Sequence, residues 1–367
     1  MKVLIHGAVN GSNFGDCLYA QIYNEYIKGL GQNIEPYFWS NRIWGASEHL
    51  KSLSDIKTTN KLSDIDLLLY MPGGYFGDAP TAYRRIKLYF RYLKIAESFI
   101  KSKKNIIISG VGGEFVESDF LLKKMCSIIN HSCLTTVRNE RTANFFSDKT
   151  TEKIYSLFDP ILQIRNMNLP PLPNNVTTII EECNKTDKKK IFLHVNSKDI
   201  RNKEFETRVI PALNNYLSNN KAHVFVGTDY CTSNKIDDLN IYNVINSEKS
   251  VVNYNSPLEL CSFLRNCDFI ITSKLHVGVV SSVMEKSVLS FAIDPTKTKT
   301  FYDDIKQSER SVSLYDCTEE QAYYMILKYA NVPIKIHEDL LKKSDMNFTL
   351  LKDQLILLES KNKEFSN

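Results

Sequence analysis

The chain has 367 residues, about twice the usual size of a single domain, and 43% of them are hydrophobic and 24% charged. This ordinary globular composition excludes a disordered or collagen-like chain, and the length favours two domains over one. The net charge of +4 is too small for a typical nucleic-acid-binding protein, so no nucleic-acid partner is expected.

Eight cysteines are spread along the chain without a Cys-x-x-Cys pair, which argues against a zinc site or a disulfide framework. We expect reduced thiols in a cytoplasmic protein, and no bound metal. The apolar start Val3–Ile5 is too short for a signal-peptide core, and no segment reaches the roughly 18 apolar residues of a membrane span.

Short apolar runs alternate with longer helical patterns, which predicts an α/β fold with parallel sheets covered by helices on both faces. The predicted strands are Val3–Ile5, Leu67–Met71, Ile106–Ser109, Leu134–Val137, Ile191–Val195, Val224–Val226, Phe269–Thr272 and Val288–Ile293. We predict two doubly wound domains that face a central cleft lined by the loops after these strands.

A turn-rich stretch and a basic run interrupt this rhythm between Arg165 and Lys190. We therefore predict an N-terminal domain, a linker, a C-terminal domain and a helical segment that packs back on the body. Their respective ranges are 1–168, 169–190, 191–330 and 331–367. In the last segment Leu351, Leu355 and Leu358 have the spacing of one helix face.

The first strand is followed by a glycine-containing loop that does not have the spacing of a dinucleotide fingerprint. Within it, Asp16 is suited either to cap the following helix, which is the favoured interpretation, or to accept a proton from a sugar hydroxyl. Two further loops, Pro72–Asp78 and Gly110–Glu114, are rich in glycine and each carries an acid. Asp78 and Glu114 could bind or deprotonate a hydroxylated acceptor, whereas tight turns alone are the alternative.

Arg138 stands directly after a predicted strand. Its planar guanidinium suits a carboxylate or a phosphate, and an ion pair with Glu140 or another neighbour on a solvated helix face is the alternative. The lone His194 at another strand end is expected to be an ordinary core histidine.

The sharpest signal is Ser273-Lys274-Leu275-His276, where a buried strand passes into a helix rich in small residues. A hydroxyl, an amine, an imidazole and the helix-start amides converge there, which predicts an anion site. Lys297 brings a further cation to the end of the next strand.

Seven motifs in this order resemble those of the polysaccharide pyruvyl transferase family. They are Asn13-Phe14-Gly15-Asp16, Pro72-Gly73-Gly74, Gly110-Val111-Gly112-Gly113, Val137-Arg138-Asn139, Phe158-Asp159-Pro160, Ser273-Lys274-Leu275-His276 and Ile293-Asp294-Pro295-Thr296-Lys297. Two residues depart from the family pattern: Lys274 stands where the family usually has Arg, and Asn139 where it usually has Asp. In addition, one residue is inserted before Lys297.

The resemblance implies a glycosyltransferase-B-like fold of two Rossmann-like domains, the N-terminal one on the acceptor side and the C-terminal one on the donor side. It implies transfer of the pyruvyl group of phosphoenolpyruvate to a sugar as a ketal, with release of phosphate and no further cofactor. The acceptor would be a sugar of a bacterial surface polysaccharide or of its lipid-linked precursor. Solvated charge is the favoured interpretation of the basic run Lys188–Lys190, and peripheral contact of this run with the inner face of the cell membrane is the alternative.

Matched residue by residue, the resemblance implies that Arg138, Lys274 and His276 hold the carboxylate and phosphate of the donor, with Lys297 in support. His276 is the candidate catalytic acid, because an imidazole is readily protonated close to neutral pH, and Asp16 or Glu114 is the candidate base. We therefore assign donor binding to Arg138, Ser273, Lys274, His276 and Lys297, and acceptor binding to Asn13, Asp16, Tyr75, Asp78 and Glu114. Two rival functions remain from the sequence alone. One is a nucleotide-sugar-dependent glycosyltransferase of the same fold, and the other is an inactive carbohydrate-binding protein.

Overall fold

A computed structural model of the protein describes residues 1–11, 13–40, 50, 55–113, 115–196, 202–229 and 239–364, with side chains up to residue 361. The chain divides into two compact units. The first comprises Met1–Ser12, Asp16–Gln163 and Asp339–Asn367, and the second comprises Asn13–Gly15 and Ile164–Glu338. Both are α/β units of the Rossmann-like, doubly wound type.

The first unit contains, within the described ranges, a seven-stranded sheet in which neighbouring strands are parallel. Its strands are β1 (Lys2–His6), β2 (Glu35–Trp39), β3 (Thr58–Thr59), β4 (Leu67–Tyr70), β5 (Asn105–Val111), β6 (Ser132–Val137) and β7 (Ile154–Ser156). The spatial order is β3-β2-β1-β4-β5-β6-β7, so the winding direction reverses between β1 and β4. At such a reversal, loops diverge and leave room for a ligand.

The second unit contains, in its described part, a six-stranded parallel sheet. Its strands are β8 (Lys189–Val195), β9 (Ala222–Thr228), β10 (Glu248–Val251), β11 (Phe269–Thr272), β12 (Ser287–Ala292) and β13 (Ser311–Ser313). The order is β10-β9-β8-β11-β12-β13, with the reversal between β8 and β11.

Helices cover the sheets of both units. Those described in the first unit are α1 (Phe14–Gly29), α2 (Ala82–Leu88), α3 (Lys94–Lys101), α4 (Asp119–Asn130) and α5 (Glu140–Ser147). Helix α1 begins two residues before the second segment of that unit, and a π-helical turn, Tyr89–Leu93, joins α2 to α3. Those of the second unit are α6 (Asn174–Lys185), α7 (Ile210–Ser218), α8 (Asn240–Asn243), α9 (Pro257–Asn266), α10 (Leu275–Val283), α11 (Pro295–Asp304) and α12 (Glu319–Tyr329). The predicted linker 169–190 is therefore largely helical and belongs to the second unit.

All eight predicted strands are present, each within two residues of its predicted ends. Strands β2, β3, β7, β10 and β13 are not among the predicted strands. Four of these form the outer edges of the two sheets, and the fifth, β2, alternates buried and half-buried residues. Such strands lack the continuous apolar run that marks an interior parallel strand.

The C-terminal helix α13 (Glu338–Glu364) belongs largely to the first unit. Leu351, Leu355 and Leu358, which share one helix face, are buried. The Tyr26 hydroxyl on α1 donates a hydrogen bond of 2.8 Å to the Phe348 carbonyl on α13. None of the helices in the described part of the chain combines the length and apolar character needed to cross a bilayer.

We expect Leu355→Ala to lower the free energy of unfolding by about 2–5 kcal/mol, because it leaves a cavity under α13. The matched control is Ile356→Ala on the same helix, where the side chain is 48% exposed and the cost should stay within about 0.5 kcal/mol. Urea denaturation followed by circular dichroism measures both. Equal costs for the two variants would contradict the packing described for α13.

Candidate functional site

The two glycine-rich loops of the first unit approach each other. The Gly112 N–H donates a hydrogen bond of 2.8 Å to the Gly73 carbonyl. A Cβ atom at Gly113 would lie 2.0 Å from the Phe76 backbone, so this contact requires glycine. The glycines at these positions thus serve the packing of loop on loop. Glu114 lies outside the described residues.

Asp78 holds this loop region together. Its carboxylate accepts hydrogen bonds from Arg85 (2.8 Å) and from the backbone N–H groups of Ala79 (2.6 Å), Glu117 (2.8 Å) and Ser118 (3.2 Å). Burial acts to raise the pKa of Asp78, but these hydrogen bonds outweigh it and keep the pKa below its usual range. A carboxylate with its oxygens committed in this way is structural, which corrects the predicted acceptor-binding role.

Tyr75 is likewise part of the core. Its ring is buried and stacks on Tyr92 with 4.7 Å between centroids, and its hydroxyl donates to the Met71 carbonyl. Burial raises its pKa well above the ordinary value. The predicted contact of Tyr75 with an acceptor is therefore corrected to a packing role.

Asp16 lies in the first turn of α1, which begins at Phe14, with Asn13 immediately before the helix. Asp16 is therefore inside the helix and is not its cap, contrary to the favoured interpretation. Its carboxylate lies near the positive end of the helix dipole. The same negative charge acts on Arg138 and raises the pKa of that guanidinium.

Arg138 follows β6 and forms a buried polar group with Asp159 and Tyr19. Its Nη1 lies 3.6 Å from Asp159 Oδ2, and the Tyr19 hydroxyl donates a hydrogen bond of 2.5 Å to Asp159 Oδ1. Burial acts to lower the pKa of Arg138, but its interactions with Tyr19 and with the Asp159 carboxylate outweigh it and leave the pKa above its ordinary value. Asp159, and not Glu140, is thus the ion-pair partner of Arg138.

The C-terminal helix α13 fixes the turn that carries Asp159. The Ser344 hydroxyl donates to the Asp159 carbonyl (2.7 Å), and the Asn347 amide donates to the Phe158 carbonyl (2.9 Å). The Thr136 hydroxyl at the end of β6 donates to Asn347 Oδ1 (2.7 Å). Residues near the end of the chain therefore position the Arg138 group, and no local motif signals them.

Asn139, one of the two residues that depart from the family pattern, caps helix α5. Its side chain accepts a hydrogen bond of 2.8 Å from the Thr142 N–H. Asn and Asp are about equally good at this position, so the departure keeps the local structure.

In the second unit, Lys274 lies beside the reversal point between β8 and β11. It precedes α10, and its Nζ lies 3.0 Å from Asp229 Oδ2 at the end of β9. The other carboxylate oxygen, Oδ1, lies 3.7 Å from His194 Nε2. Burial is the main cause that lowers the pKa of His194 to about 4, so the ring is neutral at neutral pH. Asp229 orients Lys274, and a strand-end acid was the signal that could have identified it.

His276 lies in the first turn of α10, two residues after Lys274. Its imidazole packs directly on Gly15, because a Cβ atom at Gly15 would lie 1.9 Å from His276 Nδ1. Ser273, also at the start of this helix, is buried, and its hydroxyl has no hydrogen-bond partner within the described part of the chain. Ser273, Lys274 and His276 thus all lie at the start of α10.

Lys297 is placed differently. Its side chain is 67% exposed in the first turn of α11, and its amine lies 3.5 Å from Asp294, the residue that caps that helix. In the described part of the chain, the ion-pair partner of Lys297 is thus Asp294 at the surface, and no contact links Lys297 to Lys274. Within the residues described, no three His, Cys, Asp or Glu side chains are grouped so as to hold a metal ion.

Solved structures place the fold in the glycosyltransferase-B-like class. MnaA of S. aureus, solved with UDP, has a TM-score of 0.58 and 11% identity over 89% of this chain and 87% of its own. The UDP-GlcNAc 2-epimerase of Methanocaldococcus jannaschii has a TM-score of 0.56 and 12% identity over 96% and 99%. The trehalose-6-phosphate synthase OtsA has a TM-score of 0.51 and 12% identity over 98% and 99%.

A comparison with family models assigns the chain to a protein family within this fold class. The family model described as polysaccharide pyruvyl transferase matches residues 13–295, and the chain belongs to this family. Comparison with curated proteins gives no match. The family match confirms the resemblance seen in the seven sequence motifs.

We expect Gly15→Ala to displace the His276 ring and to lower the free energy of unfolding by about 1–3 kcal/mol, because the methyl group overlaps the imidazole. Gly29→Ala, at the other end of α1, is the control, since no atom lies within 4 Å of a Cβ there. Thermal unfolding and the NMR signals of the His276 ring report the change. Unaltered His276 signals in Gly15→Ala would contradict the contact.

The buried neutral His194 predicts a pH dependence of stability. The unfolded chain takes up a proton near pH 6.5 and the folded chain only near pH 4, so the free energy of unfolding falls as pH drops through this window. The loss amounts to up to roughly 3 kcal/mol. Urea denaturation at about pH 7 and about pH 4.5 should show a smaller loss in His194→Gln than in the wild type or in the surface control His131→Gln.

Proposed function

We propose that the protein transfers the pyruvyl group of phosphoenolpyruvate to a sugar of a bacterial surface polysaccharide or of its lipid-linked precursor. The observation that carries the proposal is the group at the start of α10. There a cation (Lys274), an imidazole (His276) and a buried hydroxyl (Ser273) stand together at a helix N-terminus in a chain of the pyruvyl transferase family. Such a group suits a small, highly charged donor.

Lys274 is suited to the donor phosphate. Its amine is held 3.0 Å from Asp229, and the neutral His194 beside that carboxylate adds no competing positive charge. The N-terminal amides of α10 offer further positive potential, and no side chain caps this helix. The Ser273 hydroxyl supplies a donor for one of the phosphate or carboxylate oxygens.

Ketal formation requires a proton for the donor, a base for the acceptor and a leaving phosphate. In the proposed reaction His276 gives a proton to the methylene carbon of phosphoenolpyruvate, and a sugar hydroxyl oxygen bonds to the adjacent carbon. Asp16 accepts the proton of that hydroxyl. The oxygen of a second sugar hydroxyl then bonds to the same carbon, displaces the phosphate and so closes the ketal ring. The phosphate leaves with the proton of that second hydroxyl. General acid–base steps of this kind contribute typically 10²–10⁴-fold.

Asn13, Asp16 and Arg138 keep the roles that the family resemblance implies. In the first unit, Asp16 offers a negatively charged base for the hydroxyl of the acceptor. Arg138, paired with Asp159, offers a cation for the donor carboxylate or for an anionic or phosphate-bearing acceptor. Asn13 stands immediately before α1, where its amide suits a sugar hydroxyl. Lys297, exposed and paired with Asp294, is the weakest member of the set.

Binding of phosphoenolpyruvate should stabilise the protein, by about 2.7 kcal/mol at a hundredfold excess over Kd. We expect a rise in Tm with phosphoenolpyruvate that Lys274→Ala abolishes, because the variant removes the amine at the donor phosphate. Lys299→Ala is the matched control, since Lys299 is an exposed lysine paired with Asp303. Differential scanning fluorimetry with phosphoenolpyruvate, UDP and GDP measures the shifts.

A shift with one nucleotide and none with phosphoenolpyruvate would sink the proposal and support a nucleotide-sugar glycosyltransferase. His276→Asn separates catalysis from binding. It should keep the shift with phosphoenolpyruvate and lose at least 10²-fold in phosphate release when a panel of saccharide acceptors is supplied. Binding without turnover in the wild type, across the whole panel, would support the inactive carbohydrate-binding alternative.

A further inference from the structure

The segment from Ala82 to Lys104 is the most basic stretch of the first unit. It contains eight Lys or Arg residues and one acid, Glu97. Glu97 lies 2.6 Å from Lys124, and Arg85 pairs with Asp78 at 2.8 Å, so these charges are locally compensated. Within the described chain, Arg84, Lys87, Lys94 and Lys101 have no ion-pair partner, and all four are exposed.

The same segment exposes large apolar side chains. Tyr83 is 74%, Ile86 54% and Phe90 46% exposed, and their spacing of three and four residues places them on one face. Phe90 contacts Tyr89, which in turn contacts the exposed Phe120 of α4, with ring centroids 5.1 and 5.0 Å apart. We define the basic-aromatic face as Tyr83, Arg84, Ile86, Lys87, Phe90, Lys94, Lys101 and Phe120.

A groove of about 510 Å³ opens beside this face. Phe90, Lys94 and Lys101 belong to both, and Arg91 lines the groove with a buried Nε that has no partner in the described chain. The Lys94 amine lies 4.7 Å from the centre of the Phe90 ring. Cations and apolar rings therefore alternate over the face and along the rim of the groove.

We propose that the basic-aromatic face docks this protein on an anionic lipid bilayer. Lysine and arginine side chains attract anionic headgroups, and aromatic and aliphatic side chains on the same face enter the boundary between headgroups and acyl chains. A second copy of the chain is a poor occupant, because two such faces would bring like charges together. A soluble polyanion would match the cations but leave Tyr83, Ile86 and Phe90 in water.

The basic-aromatic face fits a membrane contact better than the basic run Lys188–Lys190 does. Lys188 lies 2.7 Å from Glu248, Lys190 lies 3.1 Å from Asp268, and the Lys189 amine donates to Tyr216 and Asn331. These lysines are committed to their neighbours. The inference does not depend on the proposed function, since binding to a bilayer is measured without donor or acceptor.

The test is co-sedimentation of the full chain with vesicles of phosphatidylcholine, with and without phosphatidylglycerol. We expect binding only to the vesicles that contain phosphatidylglycerol. Lys87→Gln combined with Lys94→Gln should weaken it by roughly fivefold for each cation, or roughly 25-fold for the pair. Lys188→Gln combined with Lys299→Gln removes the same charge elsewhere and should bind as the wild type does.

Tyr83→Ser combined with Phe90→Ser separates a bilayer from a soluble polyanion. This variant keeps every cation and should lose most of its vesicle binding, while thermal unfolding confirms that it is folded. Undiminished vesicle binding by this variant, or equal binding of the wild type to vesicles without phosphatidylglycerol, would overturn the proposal. Retained binding of the serine variant together with competition by heparin would assign the face to soluble polyanions instead.

Discussion

When parallel strands are buried on both faces of a sheet, the polar side chains that can bind a ligand are confined to the edge formed by the carboxyl ends of the strands. Both units obey this constraint. In the first, Arg138 follows β6 and Asp159 follows β7, and in the second, Lys274 follows β11 and Asp229 follows β9. In each unit an aspartate stands beside a cation, at 3.6 and 3.0 Å respectively. The pairing limits the cost of keeping a partly buried cation before a ligand arrives.

The interior of the fold could be predicted from the sequence because interior strands are written as uninterrupted apolar runs. β4 and β11, for example, are buried at every position. The edge strand β3 consists of two threonines and the edge strand β10 is mostly polar, so nothing in the local pattern distinguishes them from loops. The loop Ser273–His276 was predictable for the same reason, since a buried strand leads straight into it.

The partners of the site residues could not be predicted in this way. Asp159 depends on Ser344, which is 185 positions further along the chain, and no periodicity links residues at such a distance. The contact that requires glycine at position 113 is with the Phe76 backbone of another loop, and no local pattern reveals it. Lys274 in place of the usual Arg retains its charge, and a single contact with Asp229 does not require the fork of a guanidinium.

The return of α13 to the first unit also bears on the order of events during synthesis. The second unit is almost continuous in sequence, from Ile164 to Glu338, whereas the first needs residues from both sides of it. Domains generally fold as units, and those nearer the N-terminus usually fold first. Here the N-terminal sheet emerges early but lacks the helix that carries the buried residues Phe348 and Leu351 until translation has passed the whole second unit. The later-made unit can therefore complete its core before the earlier-made one, which makes the young chain most exposed to chaperones and proteases at its N-terminal half.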